Sequence, residues 1–302
     1  MERVIAIYPK RFVFWFPKKS YRGGNFYVKT IKNNLQWKFN LKHFNKEKDI
    51  FVIFSACFNA TPKILNFLQS NGYKVYLMIH DTIKSIEEYA SYSFKQLLKY
   101  KWDKICCYDK IMCRDYKLIY LTFPNRKIKV RRKKIKYDFG LKQSGQPLER
   151  VKTTLILLKR FDKFKINFCV RNDNFDKKDI SNHLIKEIEQ YNISNPVPSS
   201  KKICDENLLP YVGCYCHIMF SGNDYISTNV SFAIEANKKI ITNSQAVKEM
   251  PYYDSRWIKV FDDFSKFSKK DADWLKDRTI KPNYKNKECM YGKYFADAVL
   301  KL

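Results

Sequence analysis

Short apolar runs alternate along this chain with longer stretches whose apolar residues recur at helical spacing. The run RVIAIY at 3–8 predicts a strand, 26–39 a helix, and the continuous run DIFVIFSACF at 49–58 a strand covered on both faces. Thr61 is placed to cap a helix carrying Pro62 in its first turn and closed by Asn71-Gly72. KVYLMI at 74–79 predicts another buried strand, 83–100 one helix, and KICCY at 104–108 a further strand. After the basic run RKIKVRRKKIK at 126–136 the alternation resumes. It predicts helix 150–161, strand 165–171, helix 177–191, a short helix 205–212, strand 217–221 and helix 227–236. Strand 239–242, a helical stretch 247–252, strand 257–261 and a mostly helical tail complete the chain.

Strand–helix alternation implies parallel sheets with right-handed crossovers. At 302 residues the chain exceeds the usual single domain. The expected fold class is α/β, with two Rossmann-like domains facing a cleft. The N-terminal domain is expected over 1–134. The C-terminal domain is expected over 135–302, with a final helix that returns to the first. In open α/β sheets ligands bind beyond the carboxyl ends of the strands, so residues just after strands are the candidates.

The segment IMFSGNDYISTNVSFAIEANKKIITN at 218–243 has the most of them. Ser221 ends a strand, Ser227-Thr228 opens a helix containing Glu235, and Asn243 follows the next strand. Hydroxyls and free N–H groups at a helix start suit a diphosphate, and a carboxylate one helix length away can hold ribose hydroxyls. An ordinary βαβ unit with a routine Ser/Thr cap reads the same way. In VYLMIHDT, His80 and Asp81 directly follow a strand. Asp81 there could deprotonate an acceptor hydroxyl, with His80 beside it; alternatively Asp81 caps the next helix together with Thr82. Gly23 and Gly24 in YRGGNF allow the backbone to approach a ligand closely, or form a plain turn. Arg150, Lys159 and Arg160 are diphosphate partners by charge alone, and Arg150 is the first choice.

These pieces resemble bacterial glycosyltransferases of the GT-B fold. Ser227-Thr228, Glu235-Ala236 and the run Asn237-Lys238-Lys239-Ile240-Ile241-Thr242-Asn243 are similar to their donor-binding region. The stretch from Tyr137 through Arg150 resembles the opening of the C-terminal domain in capsule and lipopolysaccharide transferases. His80-Asp81 resembles the N-terminal pair of phage DNA glucosyltransferases. The resemblance covers about 137–262. It implies a hexosyltransferase that uses a nucleotide sugar, a UDP-sugar by preference, and no other cofactor. The implied donor residues are Ser227, Thr228, Glu235, Arg150, Asn243 and Ser221, and the implied catalytic residues are Asp81 and His80. Two departures stand out. Ser227, not Glu, stands eight residues before Glu235, and no Gly precedes Lys238. With no Asp-x-Asp between short strands, metal independence is expected.

Charge bears on the acceptor. The formal net charge is +28. Such a field attracts nucleic acid, anionic lipid or phosphorylated substrates; an AT-rich genome would also enrich Lys without selection for binding. Basic stretches interleaved with aromatics, such as FVFWFPKKSYR, fit any of these partners. The first expectation is a surface glycan or lipid-linked glycan acceptor, met by peripheral contact with an anionic inner membrane face. The second is DNA bearing a hydroxymethylated base, in a phage-infected host cytoplasm. A non-catalytic nucleic-acid-binding protein is the reading from another class. The start MERVIAIYPKRF is not a signal peptide, and no apolar run is long enough to span a membrane, so a cytoplasmic location is expected. The nine cysteines lack zinc spacing and read as buried free thiols.

Overall fold

The computed structural model describes residues 2–9, 26–31, 41–125, 127–128, 130, 133–144, 148–173, 187, 208–219 and 222–302. The chain divides into two compact units. One comprises Met1–Arg126 with Glu288–Leu302, the other Lys127–Lys287.

The first unit is built on a six-stranded sheet. Its strands are β1 (Arg3–Pro9), β2 (Phe26–Ile31), β3 (Asp49–Phe54), β4 (Lys74–Ile79), β5 (Lys104–Cys107) and β6 (Ile119–Tyr120). They lie in the order β2-β1-β3-β4-β5-β6, every pair parallel. Helices α1 (Thr61–Ser70), α2 (Ile83–Tyr89), α3 (Phe94–Lys99) and α4 (Lys110–Tyr116) connect them. The central strands are apolar on both faces because both faces are covered: Ile5, Ile7, Phe51 and Ile53 pack with α1, while Val4, Ala6, Val52 and Phe54 pack on the other side. Arg3 pairs with the buried Asp49, which also accepts the Asn45 N–H at 2.6 Å, so β1 and β3 are tied at their start.

The second unit carries a five-stranded parallel sheet in the order β11-β10-β9-β7-β8. The strands are β7 (Tyr137–Ser144), β8 (Phe168–Asp173), β9 (Val212–His217), β10 (Lys239–Thr242) and β11 (Ile258–Val260). Described helices here are α5 (Leu148–Lys163), α6 (Thr228–Glu235) and α7 (Lys269–Lys276). One face buries Phe139, Leu158, Phe161, Cys214 and Cys216 with Phe267 and Leu275. The last helix, α8 (Gly292–Leu300), belongs to the first unit, where Phe295 packs edge-on to Phe26 with ring centroids 5.7 Å apart.

Four local expectations are corrected. Residues 26–31 form a strand, not the start of a helix. Phe26 sits in the core against Phe295 and Gly292, and the segment pairs in register with β1. The expected helix 83–100 is two helices. Ser93 closes a capping box with Gln96 and starts α3 anew, a strong local N-terminus. The strand expected at 217–221 instead ends at His217, because the preceding VGCYC run is itself buried. Ala60 rather than Thr61 occupies the cap of α1. The helix expected over 177–191 lies almost wholly outside the described residues.

Eight cysteines are described, and all are free and buried. Among the described residues no helix is long and apolar enough to cross a membrane.

Candidate functional site

Strand order reverses between β1 and β3, since β2 lies on one side of β1 and the chain continues on the other. The carboxyl ends of strands flanking such a reversal are where open α/β sheets bind ligands. Here β1, β3 and β4 deliver Tyr8, Ser55 and the pair His80-Asp81 to that edge.

The four side chains form one hydrogen-bonded cluster. The Ser55 hydroxyl donates to Asp81 Oδ2 at 2.8 Å, which uses its single proton. The two contacts that remain on Ser55 Oγ are therefore accepted. One comes from the His80 backbone N–H at 3.2 Å and the other from His80 Nδ1 at 3.3 Å. Nδ1 thus carries the imidazole proton, and Nε2 accepts from the Tyr8 hydroxyl at 2.7 Å. Burial holds the His80 imidazole below its ordinary value of 6.5, with Asp81 pushing the other way. Burial also pushes the Tyr8 phenol well up. Both groups are neutral at pH 7.

The ring of His80 is walled by aromatics: Phe123 stacks at 5.6 Å, and Tyr8 and Phe54 lie at 5.2 and 5.6 Å. Its side chain is 11% exposed against 23% for Asp81. The solvent-facing acid–base group of the cluster is therefore the Asp81 carboxylate. It is not spent on a helix cap. Thr82 alone caps α2, its hydroxyl accepting the Ser85 N–H at 3.1 Å, which corrects the shared-cap alternative.

The turn Ser55–Ala60 that carries Ser55 is strained. Phe58 has φ 42° and ψ −124°, a left-handed φ that a bulky residue rarely adopts. It is held by Tyr92, whose hydroxyl donates to the Phe58 carbonyl at 2.8 Å, and by the neighbouring Asn59, whose side chain accepts the Ser91 N–H at 2.5 Å.

In the second unit the carboxyl ends of β9 and β10 carry another polar cluster. Ser227 is the N-cap of α6 and accepts the Val230 N–H at 3.3 Å, so Thr228 stands in the first turn beside N–H groups that the helix leaves without internal partners. Asn243 accepts the Met219 N–H at 2.6 Å, which joins the loop after β9 to the loop after β10. Asp224 accepts from Ser244 Oγ and from the Ala246 N–H, both at 2.9 Å.

Glu235 lies at the far end of the same helix. It is the last residue of α6, near the amino end of β10, whereas Ser227 precedes the first. Eight helical residues span about 12 Å. The structure therefore places Ser227 and Thr228 at one end of this helix and Glu235 at the other, one helix length apart as the sequence implies. Burial raises the Glu235 carboxyl, with Lys287 and Lys127 opposing. Lys239 of the same motif is structural: its ammonium donates to the carbonyls of Trp274, Leu275 and Asp277 at 2.7–2.8 Å, closing the carboxyl end of α7.

Arg150 lies in α5, and its side chain is outside the described residues, as are Ser221, Gly23 and Gly24. Lys159 pairs with Glu187 at 2.6 Å. Among the described residues no group of three His, Cys, Asp or Glu side chains is placed to hold a metal ion.

Sequence reasoning missed Tyr8, Ser55, Asp224 and Ser244. The signal for Ser55 was present: a lone hydroxyl breaks the apolar run DIFVIFSACF. Tyr8 gave a weaker one, as the last residue before Pro9.

No family model matches the sequence, and no curated protein sequence matches it. Solved structures do match in fold. The crystal structure of TarM aligns with a TM-score of 0.53 at 11% identity, covering 86% of this chain and 53% of TarM. A mutant of S. aureus TarM, in complex with fondaparinux, α-GlcNAc-glycerol and UDP, aligns with a TM-score of 0.52 at 12% identity, covering 86% and 54%. The chain spans about half the length of these structures. Two parallel sheets flanked by helices, in this order and matched in this way, place the chain in the α/β fold class of GT-B type.

Proposed function

We propose that the protein is a glycosyltransferase that moves a hexose from a nucleotide sugar, a UDP-sugar by preference, to a hydroxyl of a surface glycan or lipid-linked glycan. The observation that carries this reading is the Asp81 carboxylate. It is partly exposed at the sheet reversal, oriented by Ser55 and spared from capping. In the proposed reaction Asp81 takes the acceptor proton as the acceptor oxygen attacks the anomeric carbon. The bond to the nucleoside diphosphate breaks, and the diphosphate leaves with the electron pair. His80 positions Asp81 and offers no free ring nitrogen of its own.

The likeness to TarM, one of whose complexes contains UDP and α-GlcNAc-glycerol, supports the donor and acceptor classes. The donor is proposed to sit at the carboxyl ends of β9 and β10, against Ser227, Thr228 and Asn243. Asp224 orders that loop, and Arg150 serves as the basic partner. Catalysis is proposed to be metal-independent, with N–H groups and cations meeting the leaving diphosphate. Glu235, one helix length from Ser227, is proposed to meet the ribose. The proposed setting is cytoplasmic, with peripheral contact to an anionic membrane.

The test is thermal shift against UDP-, GDP-, CMP- and ADP-sugars, followed by hydrolysis or transfer assays with whichever stabilises the protein, with and without EDTA. Stabilisation by none of them sinks the reading. The net charge of +28 favours one second reading, transfer to hydroxymethylated DNA. Duplex binding that weakens steeply with salt, together with donor stabilisation, would select it.

A further inference from the structure

The second unit has a cavity at the end of its sheet opposite Ser227, Thr228 and Asn243. Its volume is about 440 Å³, within the range of small-molecule sites. It is bordered by Gly213 near the start of β9, Lys238 and Lys239 at the start of β10, and Arg278 and Lys281 after α7. Asn243 and Met219 lie beyond the other ends of the same strands. The four residues of β10 span about 13 Å, so the two regions are distinct.

The charges in this cavity do not balance locally. Lys239 is consumed by the α7 carbonyls. Arg278 pairs with Asp138 and lies across Gly213, where any Cβ would come within 2.7 Å of its guanidinium. Asp277 turns its carboxylate to the Thr279 hydroxyl and N–H at 2.6 and 2.8 Å. Lys238 is left with a half-buried ammonium and, among the described residues, no carboxylate paired to it, and Arg278 adds repulsion. Glu235 borders the same cavity, engaged electrostatically by Lys287 and Lys127, with Oε1 buried. A native protein rarely leaves a partly desolvated cation facing another cation unless something negative completes the site.

We infer that this cavity is a second ligand site, and that it takes a phosphate group held between Lys238 and Arg278 with Lys281 at the rim. More than one cation converges there, which favours a near-dianionic phosphate over a singly charged carboxylate. Among the described residues no aromatic side chain lines the cavity, so they give no platform on which to stack a base. Val130, Ile135, Pro210, Ile280 and Pro282 give it apolar walls. A soluble phosphomonoester and a phosphomonoester lipid headgroup share this chemistry.

Lys238 reports on this cavity alone, independently of whether the other end of the sheet binds a nucleotide. The full-length protein is acylated with an amine-reactive ester, and labelling at Lys238 is read by peptide mass spectrometry. Chloride, inorganic phosphate and phosphatidic-acid vesicles are compared at matched ionic strength. Phosphate should slow labelling at Lys238 about tenfold while leaving Lys269, on α7, unchanged. Protection by vesicles but not by phosphate assigns the site to a headgroup. Protection by neither overturns the inference. Arg278→Gln should abolish the protection; where that variant does not fold, Lys281→Gln should weaken it.

Discussion

The hydroxyl of Ser55 donates to Asp81 Oδ2 at 2.8 Å, and that bond determines the protonation pattern of the whole cluster. Because the only proton on Ser55 points at Asp81, His80 must present Nδ1–H to Ser55 and a bare Nε2 to Tyr8. Under the proposed chemistry, Asp81→Asn removes the base and should lower transfer by about 10²–10⁴-fold while leaving donor affinity unchanged. Ser55→Ala frees the carboxylate to rotate and should cost a smaller factor, in kcat more than in KM. Steady-state kinetics on the two variants check this; unchanged turnover in Asp81→Asn would remove Asp81 from the mechanism.

The tautomer is open to direct observation. Nitrogen NMR of selectively labelled protein should show His80 with Nδ1 protonated and Nε2 not. Tyr8→Phe removes the donor to Nε2 and should shift that resonance without unfolding the chain. A spectrum with Nε2 protonated in the native protein contradicts the assigned network.

His80 also makes the fold sensitive to acid. Its folded-state value lies below the ordinary 6.5, so between those two values the unfolded chain binds a proton that the native state does not. Stability contributed by the neutral buried ring is therefore full above 6.5 and falls as pH drops below it. His80→Gln should flatten the Tm-versus-pH curve in that window relative to the parent. Parallel curves for the two proteins would show that His80 is not the titrating group.

Much of this architecture was legible in the chain because parallel strands buried on both faces read as apolar runs: RVIAIY, KVYLMI and KIIT appear where the pattern puts them. Strand β2 was not legible. FYVKTI has partial helical spacing, and only its pairing with β1 and the packing of Phe26 on α8 settle it as a strand. The site was half legible for a similar reason. His80 and Asp81 announce themselves as polar residues after a strand. Tyr8 on β1 and Ser55 just after β3 lie 72 and 25 residues away from His80, and only the sheet brings them together.

The cation pair Lys238–Lys239 illustrates how neighbours in sequence can serve opposite ends. Lys239 is 2% exposed and satisfies the Trp274, Leu275 and Asp277 carbonyls. Lys239→Met leaves those acceptors without a donor and should destabilise the protein by about 2–4 kcal/mol. Lys238 has the reverse sign. Burial, and Arg278 after it, push its ammonium down to about 8 from 10.5, so at pH 7 the charged form is held unfavourably. Lys238→Met should stabilise the protein by on the order of 1 kcal/mol at pH 7 in the absence of phosphate. That gain should shrink as pH rises from 8 toward 10.5, where the native lysine loses its proton before the unfolded one does. Denaturant titrations of both variants at pH 7 and pH 9.5 check the pair, and a destabilised Lys238→Met would show that its ammonium is already paired.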